Sequence, residues 1–331
     1  MQEFIIFTII LALFFDFING FHDSANAIST VVATKVLTPI RAVGMAAVGN
    51  LIGPLFFSTA IAATIGKGIV KIDGVASDIL VTLIFSALVG AIIWDLITWY
   101  VGLPTSSSHA LVGGLVGGGL ASLGSGYIIP SGVEKVVVFM VVSPIIGMVA
   151  AFILTTIVIR TFYRVSPTRI NRYFRSLQLF SAFFYSVTHG TNDAQKTMGI
   201  ITVLLVAYGS LTTFAVPLWV ILAAHISISL GTFFGGWRIV KTMAQKITKL
   251  RPYQGFCAET SGGLVLASMA AMGVPVSTTH VISSSIMGVG ATDKLSAVRW
   301  GIARKIVGAW VLTIPVTALV SFLTYKIITA F

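Results

Sequence analysis

Ten apolar runs, most of them 19 residues or longer, take up most of this 331-residue chain and leave little room for anything else. They cover 3–33, 42–65, 78–101, 106–124 and 132–159, then 177–207, 213–236, 254–272, 276–291 and 301–328. A helix needs about 20 apolar residues to cross a bilayer. Only 9% of residues are charged, against roughly 25% in an ordinary soluble domain. With a mean hydropathy of +0.99, the runs must face lipid. The chain reads as an all-α polytopic membrane protein.

The net charge of +11, from 21 basic and 10 acidic residues, would suggest nucleic acid in a soluble protein. Here the basic residues lie between the spans, so they report topology and anionic headgroups. No nucleic-acid partner is expected. The single cysteine, Cys257, excludes an intrachain disulfide and a cysteine metal cluster. Residues 1–15 lack a basic leader and carry Glu3, so they read as the start of the first span rather than a cleaved signal. Gly66-Lys67 is no nucleotide loop, with Ile61 and Gly68 where a glycine and a hydroxyl should stand. No HExxH zinc motif occurs either.

The spans fall into two sets of five, and the sets match. Gly20-Phe21-His22-Asp23-Ser24-Ala25-Asn26 lies 170 residues before Gly190-Thr191-Asn192-Asp193-Ala194-Gln195-Lys196. Gly102-Leu103-Pro104-Thr105-Ser106-Ser107-Ser108-His109 lies 171 residues before Gly273-Val274-Pro275-Val276-Ser277-Thr278-Thr279-His280. The domains are therefore a first transmembrane repeat over 1–159, a basic cytoplasmic linker over 160–175, and a second repeat over 176–331. An odd number of spans per repeat inverts the second. With both termini outside, 16 loop basics fall inside and four outside, as the positive-inside rule requires. This predicts a multi-pass plasma (inner) membrane protein with a cytoplasmic central loop. The basic stretch 238–251 reads as an interfacial amphipathic helix. Inverted repeats are typical of secondary transporters, whose site lies near the midplane between the halves.

The chemistry concentrates in the paired motifs. Spans 3–33 and 177–207 are too long for the ~30 Å hydrocarbon core, so they either tilt steeply or break, and Asn19-Gly20 and His189-Gly190 are the obvious break points. Asp23 and Asp193 lie mid-span, where an acid costs about 2.5–3.5 kcal/mol and so has a partner or an ion. An Asp193–Lys196 ion pair is the structural alternative. Asn26, one turn after Asp23, adds an amide oxygen on the same face, and such oxygens suit a hard cation, Na⁺ above all, or a proton relay. In the Pro-x-Ser motifs, a proline in the first helical turn, free N–H groups and three hydroxyls make a donor-rich cup for an oxyanion. The spacings Gly113/Gly117 and Gly114/Gly118 point to close helix packing. His22 and His189 flank the acids. His109 and His280 could bind anion or pack, and His225 reads as a hydrogen-bonded core residue. Asp16 and Asp95 are further span acids, and Glu259 is expected to seat the 238–251 helix.

On these residues the chain resembles the inorganic phosphate transporter (PiT) family of sodium- or proton-coupled carriers. The resemblance rests on His22 to Ala27, on His189 to Lys196 and on the two hydroxyl motifs. His22 departs from the family pattern, which has Asn there, whereas Asn192 fits it. The resemblance implies phosphate as substrate, bound by Thr105, Ser106, Ser107, Ser108, Asn192, Ser277, Thr278 and Thr279. It places the coupling cation at Asp23, Asn26 and Asp193, with His22, Gln195 and Lys196 as auxiliaries. It implies no cofactor and no metal other than the coupling ion, Na⁺ or H⁺. The partners are inorganic phosphate, Na⁺ and the lipid bilayer, and a homo-oligomer is compatible with the sequence. The rival readings are a sulfate or proton-coupled permease and an intramembrane hydrolase using Ser107 or Ser108 with His109.

Overall fold

The computed structural model of the protein describes residues 2–55 and 59–330. The first half contains α1 (Gln2–Ala33), α2 (Pro39–Ile52), α3 (Ala60–Lys67), α4 (Ser77–Val101), α5 (Ser107–Ser122) and α6 (Pro130–Thr161). The second contains α7 (Pro167–Ala207), α8 (Leu218–Phe234), α9 (Trp237–Lys241), α10 (Pro252–Ala271), α11 (Thr278–Asp293) and α12 (Trp300–Ala330). Each expected span falls on a helix of this series, 42–65 on both α2 and α3, but among the described residues only four helices are long and apolar enough to cross a membrane, or six if each bent pair counts as one span. The span 42–65 includes residues 56–58, which lie outside the described residues.

The two halves repeat one helix series, and their packing exchanges partners. Helix α1 packs on α8 as α7 packs on α2, and α5 packs on α12 as α11 packs on α6. Helices α1, α4, α6 and α12 are each long and apolar enough to cross a membrane. Their outward residues, such as Phe7, Ile97, Val141 and Val311, are exposed and apolar, which suits lipid contact. Helices α5 and α11 differ. Each has 16 residues, about 24 Å of helix, too short to span. Both are buried along nearly their whole length. They are the hairpin half-helices, held inside the bundle. The glycine stripes allow this: a Cβ on Gly117 would lie 1.9 Å from the Ala318 carbonyl oxygen of α12, and one on Gly114 2.5 Å from that of Ala87 on α4.

Three expectations are corrected. First, neither acid-bearing helix breaks at its glycine; α1 and α7 run without interruption through Gly20 and Gly190. Those glycines serve close approach instead. A Cβ on Gly20 would sit 2.1 Å from the Ile228 carbonyl oxygen of α8, and one on Gly190 2.5 Å from the Cα of Asn50 on α2. The breaks fall next door, with a bend of 87° between Pro39–Leu55 and Ala60–Lys67 and of 59° between Leu218–Phe234 and Trp237–Lys246. Second, the segment 238–251 is not a continuous surface helix. It holds α9 and a single π-helical turn over Thr242–Lys246, and Ile239, Val240, Met243 and Ile247 are buried in the core. Third, α7 already begins at Pro167, so most of the basic stretch 160–175 is helical. Proline at the first turn favours that start.

Candidate functional site

The centre of the protein is polar and sealed. Along α1, Asp16, Asn19, Asp23 and Asn26 recur at helical spacing, and all are at most 2% exposed. Along α7, His189, Asp193 and Lys196 do the same, Lys196 at 1%. These two stripes face the N-termini of α5 and α11.

The two half-helices begin alike. Gly102 and Gly273 take left-handed backbone angles, with φ of 72° and 63°, which glycine adopts without strain. Ser106 and Ser277 are the N-caps: their hydroxyls accept from the N–H of His109 at 3.2 Å and of His280 at 3.1 Å. The prolines stand two residues before these caps, not in the first helical turn as expected. A helix start leaves its first N–H groups without intrahelical partners; here they belong to Ser107 and Ser108 on α5 and to Thr278 and Thr279 on α11.

The halves then build matching triads. The Ser107 hydroxyl of α5 lies 3.4 Å from Asp23 Oδ2 and accepts from Lys196 Nζ at 2.8 Å. The Thr278 hydroxyl of α11 lies 3.2 Å from Asp193 Oδ2 and accepts from Asn26 Nδ2 at 3.3 Å. Asn26 also donates to Thr279 at 2.9 Å. Each triad thus joins an acid and a hydroxyl of one half to a residue of the other. Asp23, His189 and Asp193 offer ligand atoms within 4.8 Å of one another, a fit for a cation. The oxygen Asn26 Oδ1 has no hydrogen-bond partner, a further acceptor left for an ion.

The remaining named residues divide. His22 bonds Asp23 through Nδ1 at 2.7 Å and reaches Thr98 of α4 through Nε2 at 3.1 Å, so it braces the first acid. Lys196 makes the ion pair with Asp193, at 3.2 Å, that a structural role requires, but it also reaches Ser107 in the other half. Thr105 turns to α4, donating to Thr98 at 2.9 Å. Asn192 donates to the Thr188 carbonyl at 2.8 Å, its Oδ1 unpartnered. Gln195 faces away and accepts from the Ile61 N–H at 2.9 Å, capping α3. Ser24 does the same for α9, accepting from the Gly236 N–H at 2.6 Å. His225 is a core residue as expected, bonded to the Asn50 carbonyl at 2.6 Å. His109 and His280 pack edge to face with ring centres 4.8 Å apart, and His280 stacks on Trp310.

Asn19, which accepts from Ser107 at 2.5 Å, was missed by the sequence reading. The signal was present, since Asn19 and His189 occupy equivalent positions in the repeat. Asp16 and Asp95 are wholly buried and neither carboxylate has a hydrogen-bond partner. Glu259 does not seat the 238–251 segment. It accepts from Gln178 and Ser181 of α7.

A profile of the phosphate transporter family matches residues 19–321. The chain is 53% identical over 318 residues to a "probable low-affinity inorganic phosphate transporter" of Rhizobium meliloti, covering 96% of this chain and 94% of that protein. A Bacillus subtilis protein of the same description is 45% identical over 325 residues, covering 98% and 96%. The fold matches a solved structure described as "The sodium-dependent phosphate transporter", with a TM-score of 0.90, 24% identity and coverage of 99% and 100%. The match spans both repeats and both acid motifs, and the chain belongs to the phosphate transporter family.

Proposed function

We propose that the chain carries inorganic phosphate across the plasma (inner) membrane together with a cation, Na⁺ in the first place, by alternating access of a site between the two repeats. The observation that supports this most is the pair of acid–hydroxyl triads, which brings donor-rich helix starts against carboxylates in one buried centre. Helix N-termini and hydroxyls hold the phosphate oxygens, with Ser107, Thr278 and Thr279 nearest and Ser108 and Asn192 beside them. Thr105 supports the turn, and Ser106 and Ser277 serve as caps, which orients the cups. Asp23, Asp193 and Asn26 take the cation. Such acids also favour phosphate over sulfate, because protonated phosphate donates a hydrogen bond to a carboxylate and sulfate has no proton to give.

Sodium coupling draws support from the oxygen-rich cage and from the description of the solved structure that shares this fold. Proton coupling has an observation of its own: Asp16 and Asp95 are buried carboxylates without partners, which a proton would neutralise. The repeats, 1–159 and 176–331, rock about the site, with both termini outside and the basic segment 160–175 cytoplasmic. Uptake of radiolabelled phosphate into proteoliposomes tests the reading. An inward sodium gradient should drive accumulation that excess sulfate leaves intact. Accumulation driven only by a proton gradient would transfer the coupling to H⁺, and equal competition by sulfate would overturn the assignment of substrate.

A further inference from the structure

The two triads share a carboxylate and a hydroxyl and differ in charge at one part. Asp23 corresponds to Asp193, and Ser107 of α5 corresponds to Thr278 of α11. The third members, three residues after each aspartate, are Asn26 and Lys196. Both cross to the hairpin of the opposite half: Asn26 Nδ2 reaches Thr278 and Thr279, and Lys196 Nζ reaches Ser107. Around Asn26, Asp193 Oδ2, Thr278 and Thr279, together with its own unpartnered Oδ1, form an oxygen cage to which the third member of the triad brings no charge; Asp193 meets an ammonium only through its other oxygen, Oδ1, where Lys196 lies at 3.2 Å. Around Lys196 the equivalent place already holds one. Its ammonium sits 2.8 Å from Ser107 Oγ and 3.2 Å from Asp193 Oδ1, and the residue is 1% exposed.

A buried ammonium bound by a carboxylate and a hydroxyl satisfies the electrostatic demand that a metal ion would satisfy. We propose that the ε-ammonium of Lys196 stands in one of two symmetry-equivalent cation positions. The protein then moves one metal cation fewer per phosphate than a carrier with asparagine at both positions would. The inference rests on the cation-coupled reading above. A tethered charge travels with the carrier and returns with it, so it balances the bound phosphate without dissipating a gradient. An asparagine there would supply an oxygen and a vacancy, and a free cation would have to fill the place on every cycle.

The test exchanges the two residues. Lys196→Asn and Asn26→Lys are reconstituted beside the wild type, and initial phosphate uptake is followed against sodium at constant ionic strength. Lys196→Asn should raise the order in sodium, and the ²²Na to ³²P transport ratio, by one. Asn26→Lys should lower both by one. If a variant does not turn over, ²²Na bound per purified, monodisperse chain at saturating phosphate decides instead. One additional ion in Lys196→Asn supports the proposal, and an unchanged count overturns it. The two readings fail separately. Sodium-independent uptake by the wild type would count against sodium coupling, whereas an unchanged difference between Lys196→Asn and the wild type counts against the role of Lys196.

Discussion

Replacing Asp193 with asparagine keeps the shape of the side chain and removes its charge. The carboxylate accepts from Thr278 at 3.2 Å, meets His189 at 3.3 Å and pairs with Lys196 at 3.2 Å. An amide oxygen can keep the Thr278 bond. It cannot keep the ion pair, and Lys196 is 1% exposed with only the Ser107 hydroxyl left to it. Breaking a buried pair from one side costs about 3–5 kcal/mol, because the surviving charge stays buried. Asp23→Asn should cost less, about 1–3 kcal/mol, since its contacts are with His22 and Ser107 and include no fixed cation. Both variants should reach the membrane and both should lose gradient-driven uptake. The assay is chemical unfolding in detergent micelles, run as a double-mutant cycle with Lys196→Met. Asp193→Asn/Lys196→Met should recover most of the stability lost in Asp193→Asn, without recovering transport. If Asp193→Asn unfolds within about 1 kcal/mol of wild type, or if the double variant is no more stable than Asp193→Asn, the Lys196 charge is not held in the way described.

In a Cys257→Ser background, cysteines at Ser125 and Ser210 should label from outside intact cells, and those at Ser166 and Ser296 only after permeabilisation; labelling of Ser166 in intact cells would refute the inverted arrangement. Gly117→Ala and Gly288→Ala place a Cβ 1.9 Å and 2.2 Å from backbone carbonyl oxygens and should each lower the thermal midpoint, while Gly308→Ala, which meets open space, should not. Ser107→Ala leaves Lys196 and Asn19 each short of a partner and should weaken phosphate binding about tenfold, or 1.4 kcal/mol, as measured by isothermal titration; Thr278→Val should act alike in the equivalent triad.

The repeat, the apolar helices and the paired acids are legible in the sequence because each rests on a physical requirement that acts locally. Lipid demands apolar length, and a charge at the midplane demands a reason. What escaped detection depends on partners distant in the chain. Gly20 reads equally as a helix break or as a contact point, and only the carbonyl of Ile228 against it decides. Three adjacent hydroxyls do not reveal which one becomes the cap; Ser106 and Ser277 are set apart by backbone angles, not by residue type. Gln195 lies within the most specific motif of the chain, yet it caps α3 from a position the motif does not mark. Lys196 is the reverse case. Its local pair with Asp193 was foreseeable from spacing, whereas the bond to Ser107 across the repeat boundary was not.

The central claim is that one buried centre binds phosphate and its coupling cation together, so that each promotes the binding of the other. Isothermal titration of the purified protein with phosphate, across a sodium series at constant ionic strength and pH, tests it most directly. Phosphate affinity should rise with sodium, and sodium affinity should rise with phosphate by the same factor. A phosphate affinity that is indifferent to sodium and changes only with pH would contradict the sodium-coupled account.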